Sequence, residues 1–206
     1  IVRKILWSLP CLVLLTAAGA FWLAQDVKPL DYSLMEVEIG PEDPAINGYT
    51  RIKVFAETFE ADLPDNFYEY FEDRSAFPTD ERATWIDKNQ SLLRAFRDAL
   101  ESPLYKIDEA IKPDTLFPEI GLARIYTQLR IVEIDLTRDR GKPSEAFKQL
   151  LALREDVTRY FNTHGTLLHF LTATAIQSIW NQAAQEFLNS KDIESIPPEA
   201  FVEQAR

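Results

Sequence analysis

The stretch "THGTLLHFL", Thr163 to Leu171, carries both histidines of the 206-residue chain. Imidazole is the side chain most ready to move a proton or bind a metal near neutral pH, so His164 and His169 come first. Five residues on a helix turn the second ring about 140° away from the first, whereas a chelating pair needs both rings on one face. Glu155 and Asp156 lie upstream and could approach in space, but there is no His-Glu-x-x-His arrangement. Thr163 is expected to cap a helix with His164 in its first turn and His169 partly buried a turn later, a structural role satisfied by local hydrogen bonds. Glu133 and Asp135 could be imagined as an acid and base pair. At a spacing of two they point to different sides of a helix, which favours a solvated face or a salt bridge to an arginine. A Gly-rich phosphate loop and a Gly-x-Ser-x-Gly elbow are both missing from the sequence, and the one cysteine, Cys11, lies in the apolar N-terminal run. The reading therefore assigns no catalytic, cofactor-binding or metal-binding residue and expects no enzyme. Its alternative is an exported hydrolase or small-ligand binding protein that uses carboxylates and His169 in a cleft between helices. A pocket with converging polar groups at His169 would favour that alternative.

The elements that must position these residues read as helices. Asp43 and Pro44 suit an N-cap and first turn, after which Tyr49, Ile52, Phe55 and Phe59 recur at helical spacing; Gly48 weakens this, and "TRIKVFAET" alternates well enough to be a strand. In "PDNFYEYFEDRSAFP", Phe67, Tyr68, Tyr70 and Phe71 suit a connector that docks its rings, with a partner-binding helix as the rival. Thr79 should cap a helix that reaches Glu101 and turns Trp85, Leu92, Phe96 and Leu100 to one side. Pro118 opens the most regular segment, in which Leu122, Ile125, Leu129, Val132 and Leu136 form one stripe and Ile120, Ile131 and Ile134 a second. Two stripes predict a helix packed on two sides and central to the array. Gly141 ends it, and Pro143 starts a partner helix that runs to about Phe161. A further helix, from after Thr163 to about Asn189, is expected to bury Leu168, Leu171, Ala175, Ile179, Ala183 and Phe187. Pro197 and Pro198 begin another, and the chain is expected to continue at both ends.

Ile5 to Ala24 is free of charge, long enough at about 1.5 Å per residue to cross the hydrocarbon core, and preceded by Arg3 and Lys4. Residues 1–25 are therefore expected to be a transmembrane anchor or uncleaved signal, with the bilayer met through residues 5–24. A signal peptide cleaved near Ala18-Gly19-Ala20 is the competing reading. Residues 26–43 form a proline-containing spacer, within which Val37 and Ile39 could be extended, and 44–206 an all-helical ectodomain. With Arg3 and Lys4 set aside from 22 basic residues, 33 acidic ones leave the remainder at a formal −13. Such a surface repels phosphate backbones, so no nucleic-acid partner is expected.

At "RDRGKPSEAFKQLLALRED", Arg138 to Asp156, the turn followed by Ala146, Phe147 and the leucines resembles the second helix of a tetratricopeptide-type hairpin. A 34-residue step from Ala146 lands on Trp180, so no second copy follows in register. The wider layout, from the apolar leader through "FPEIGLARIYTQLR" to "GTLLHFLTATAIQSIW", is similar to uncharacterised bacterial envelope-anchored helical proteins. The resemblance implies an all-α fold, an N-terminal transmembrane helix followed by an antiparallel array of tetratricopeptide-like helical hairpins. It also implies a single-pass inner-membrane location, with the N-terminus cytoplasmic and the ectodomain periplasmic. The expected role is non-enzymatic scaffolding toward another envelope or membrane protein.

Overall fold

A computed structural model describes residues 39–108, 117–161 and 166–196. Six α-helices follow one another there: α1 (Gly48–Ala56), α2 (Thr79–Lys88), α3 (Gln90–Leu100), α4 (Pro118–Asp139), α5 (Pro143–Phe161) and α6 (Leu167–Leu188). Short 3-10 turns occupy Phe67–Phe71, Arg74–Ala76 and Lys191–Ser195. The only strand-like feature among the described residues is an isolated parallel bridge between Asn47 and Leu104, so the described part of the chain is all-α. The predicted span at residues 5–24, Val37 of the spacer, His164 and the helix opening at Pro197 lie outside the described residues. No described helix is long and apolar enough to cross a membrane.

The first helix starts four residues later than its sequence suggests. Asp43 organises a turn, accepting from the Ala45 N–H at 2.8 Å, and Asn47 is the true N-cap, accepting from the Tyr49 N–H at 3.2 Å. The Asn47 amide also donates to the carbonyls of Pro41 and Lys106, at 2.9 and 2.8 Å, so one buried side chain starts the helix and pins two loops. Phe59 falls beyond the helix and stacks on Phe55 instead. Gly48, the residue that argued against a helix, is what lets α1 seat on α3. A Cβ placed there would stand 1.8 Å from the Ala99 carbonyl oxygen.

The single helix expected from Thr79 to Glu101 is two. Asn89, fully buried, turns its side chain onto backbone, donating to the carbonyls of Trp85 and Asp62 and accepting from the Asp62 N–H. A short amide side chain that satisfies neighbouring backbone competes with the helical ladder and breaks it between α2 and α3. Thr79 is the first helical residue and Pro78 the cap. The apolar face survives the break, since Trp85, Leu92, Phe96 and Leu100 are all buried. In the connector before it, Phe67 and Tyr70 are fully buried while Tyr68 is exposed, so the ring cluster is mainly an internal dock.

Helix α4 is central, packing against α1, α2, α3, α5 and α6. Leu129, Ile131, Val132 and Ile134 are buried on both sides of it, each contributing roughly 1.5–3 kcal/mol of burial. Gly141, at φ +74, closes the helix, with the Lys142 N–H bonded back to the Thr137 carbonyl. That left-handed stop folds α5 back onto α4 as the expected hairpin.

Helix α6 departs from the expected orientation. Leu168 and Leu171 are about half exposed, and Ala175 faces outward. The inward line is His169, Ala173, Ile176, Ala183 and Phe187, at steps of four, three, seven and four. Apolar residues fall on both sides of this helix, the leucines outside and Ala173, Ile176, Ala183 and Phe187 inside, so apolar spacing alone leaves its rotation open. The buried polar partner of His169 settles it.

Candidate functional site

Among the described residues, three polar clusters are built on α4. The first forms where the N-terminus of α6 meets that of α4. Thr166, not Thr163, caps α6: its hydroxyl accepts from the His169 N–H at 3.3 Å. The imidazole returns the favour, its Nδ1 accepting from the Thr166 N–H at 3.4 Å. This is a capping box with histidine in the place usually held by Glu or Gln. With Nδ1 accepting, Nε2 carries the proton and donates it to Glu119 Oε1 at 3.1 Å. Tyr49 of α1 donates to the same oxygen at 3.3 Å, and Phe117 sets its edge against the imidazole at 4.7 Å between centroids.

The cluster is closed. His169 is 3 % exposed and Glu119 is 0 % exposed. The second carboxylate oxygen, Oε2, has no hydrogen-bond partner, nor have the hydroxyls of buried Tyr105 and Tyr160 close by. Burial pushes both phenols above their ordinary range, and the Glu119 carboxyl adds to the effect. His169 thus sits deeper than the partial burial expected of it. It does find a carboxylate, but the partner is Glu119 and not Glu155 or Asp156.

The second cluster gathers at the opposite end of α4. Asp135 is buried and accepts from the Tyr70 hydroxyl at 2.6 Å and from Arg74 at 2.9 Å, while Arg138 meets its other oxygen at 3.3 Å. Arg74 reaches on to Glu186 of α6 at 2.8 Å, and Arg82 of α2 pairs with Asp139 at 2.7 Å. Burial, then Asp135, pushes the Tyr70 phenol upward. Glu133 turns away and pairs with Arg130. Both acids therefore form salt bridges to arginines as expected; only the solvated face fails for Asp135.

The third is a pair. Tyr126 of α4 donates to Asp156 of α5 at 2.6 Å. Burial raises the Asp156 carboxyl above its usual range, against the pull of Tyr126, Arg130 and Arg97. A cleft of only about 10 Å³ opens beside it, walled mainly by Phe96, Leu100, Val157, Tyr160 and Ile176. A second groove of about 300 Å³ lies between α2, α4 and α5 and is polar. Neither includes His169 or Glu119. Among the described residues, no three His, Cys, Asp or Glu side chains are grouped to hold a metal ion.

What the His169 clamp leaves outside is the more open feature. Holding one side of α6 inward turns Leu167, Leu168, Phe170 and Leu171 outward, at 73, 49, 55 and 54 % exposure. Thr174, Ala175, Ser178, Asn181, Gln182 and Gln185 continue the exposed side. From Thr166 to Gln185 there is no Asp, Glu, Lys or Arg, in a chain of which 27 % is charged. The sequence left this face unseen because Leu168 and Leu171 were expected inside; the uncharged run was its visible signal. Glu119 left none, since an acid in a first helical turn is commonplace. Comparison with family models, curated proteins and solved structures finds no match to this chain.

Proposed function

We propose that this protein is a membrane-tethered, extracytoplasmic helical module whose role is protein–protein binding in the envelope, without catalysis. The observation that carries the reading is the outer face of α6, four large apolar side chains exposed together on a helical stretch that carries no charge from Thr166 to Gln185. Scattered apolar residues are normal on any surface, but a contiguous patch on one helix is a recognised mark of a docking site. The acidic remainder of the chain keeps nucleic acid away. The apolar segment at residues 5–24 supports the tether and the side of the membrane. The alternative chemistry of a His169 and carboxylate cleft has its two groups in contact but sealed from solvent, which weighs for the binding role.

Isolation of the full chain from detergent-solubilised membranes, beside a version shortened to the leader and spacer, tests this. A specific envelope partner is expected with the full chain and not with the shortened one. Repeated recovery of no partner, neither a different envelope protein nor a second copy, or a turnover abolished by His169→Ala in a protein that still folds, would sink the reading.

A further inference from the structure

The partner of this face can be named more closely, on the reading that the face is a docking site. We infer that the outer side of α6 is covered by the same side of a second copy of this chain, the two helices crossing near Leu171 about a two-fold axis.

Charge carries the argument. The chain has a formal charge of −11, so two copies repel wherever carboxylates would be brought together. From Thr166 to Gln185 the face offers no ionised carboxylate, ammonium or guanidinium. A partner with a basic patch finds nothing to pair with here and would be drawn to the acidic sides. What fits is a surface that is itself uncharged and apolar at one end, and the chain carries such a surface. An isologous contact centred on Leu171 packs the apolar cluster of each copy against the same side of the other and leaves no charge buried.

Lipid is a poorer occupant. The same exposed side continues through Asn181, Gln182 and Gln185, whose amides lose hydrogen bonds in hydrocarbon and keep them in a protein interface. It also lacks any basic residue for anionic headgroups. Thr174, Ala175 and Ser178, next along the helix, are small enough to let a second helix approach closely. The patch covers only about two turns, so the contact alone is smaller than a standard permanent interface. Tethering both copies in one bilayer raises their effective concentration and lets a modest contact suffice.

The test uses the full chain in membranes, with Cys11→Ser removing the native thiol. Leu171→Cys is expected to give a disulfide-linked homodimer on mild oxidation, and Thr158→Cys, exposed on α5, is expected not to. Adding Leu167→Glu, which sets a carboxylate against the apolar side of the other copy, should lower the linked fraction by about 30-fold or more at matched expression. No more dimer from Leu171→Cys than from Thr158→Cys overturns the inference. If a photocrosslinker at position 171 joins a different protein, self-association is wrong and the docking reading survives. If a bilayer quencher reaches a fluorophore there, or the position stays open to water-soluble maleimide with no protein attached, both fail.

Discussion

Helix α4 buries a carboxylate near each end, and the two are held in opposite ways. Asp135 receives a tyrosine and two arginines, using both oxygens. Glu119, about 24 Å along the same helix, receives Tyr49 and His169 on one oxygen and nothing on the other, with two more phenols close by that also lack partners. A buried charge with cations on both sides resists the loss of any partner, because each loss strands a charge in low dielectric. A half-met cluster is worth less as a fastener and more as a positioning device: it sets the rotation of α6 through one nitrogen of one ring. The Asp135 end holds the array together, and the Glu119 end decides what α6 shows to the outside.

The largest test of that contrast is Asp135→Ala. It leaves Arg74 and Tyr70 facing an empty acceptor position, and urea unfolding is expected to show a loss of about 3–5 kcal/mol; a loss under about 1 kcal/mol would erase the distinction. Sharper is a comparison of two hydroxyl deletions. Tyr70→Phe removes a 2.6 Å bond to a carboxylate and should cost about 1.5–3 kcal/mol, whereas Tyr160→Phe removes a hydroxyl without a partner and should be neutral or stabilising by up to about 1 kcal/mol. Equal losses would mean that the Glu119 end is as well bonded as the other. The smallest effect concerns Asp156, between the two ends. Its carboxyl is raised in the folded chain, so its contribution is fully present below about pH 4, the ordinary value, and is lost as pH rises through the raised one. Asp156→Asn should therefore stabilise the protein near neutrality, by on the order of 1 kcal/mol or less, and lose that advantage in acid. An advantage that grows as pH falls would reverse the sign.

The spine of the fold was readable in the sequence where independent signals agreed. In α4 the two apolar stripes, the opening Pro118 and the closing Gly141 all agree, and the helix forms between them. Where signals compete, tertiary contacts decide. Asn89 reads as an ordinary helical position until Asp62 arrives to bond it. The α6 leucines read as core until His169 is drawn inward by Glu119, fifty residues away. Of the polar cluster, His169 could be picked out because histidine is rare in this chain; Glu119 and Tyr49 could not, because their meeting spans 70 residues and depends on how α1 crosses the array. The Asp135 bridges were half readable: the arginine preference follows from composition, the burial does not.

Gly48 gives that crossing a consequence beyond its own neighbourhood. Any side chain there would act as a wedge between α1 and α3, and the residue that would move with it is Tyr49, whose 3.3 Å bond to Glu119 has little length to spare. The disturbance would pass from the glycine through a phenol and a carboxylate to an imidazole. A single methyl group at position 48 would so blur the display of Leu167 to Leu171, on a helix that Gly48 itself never touches.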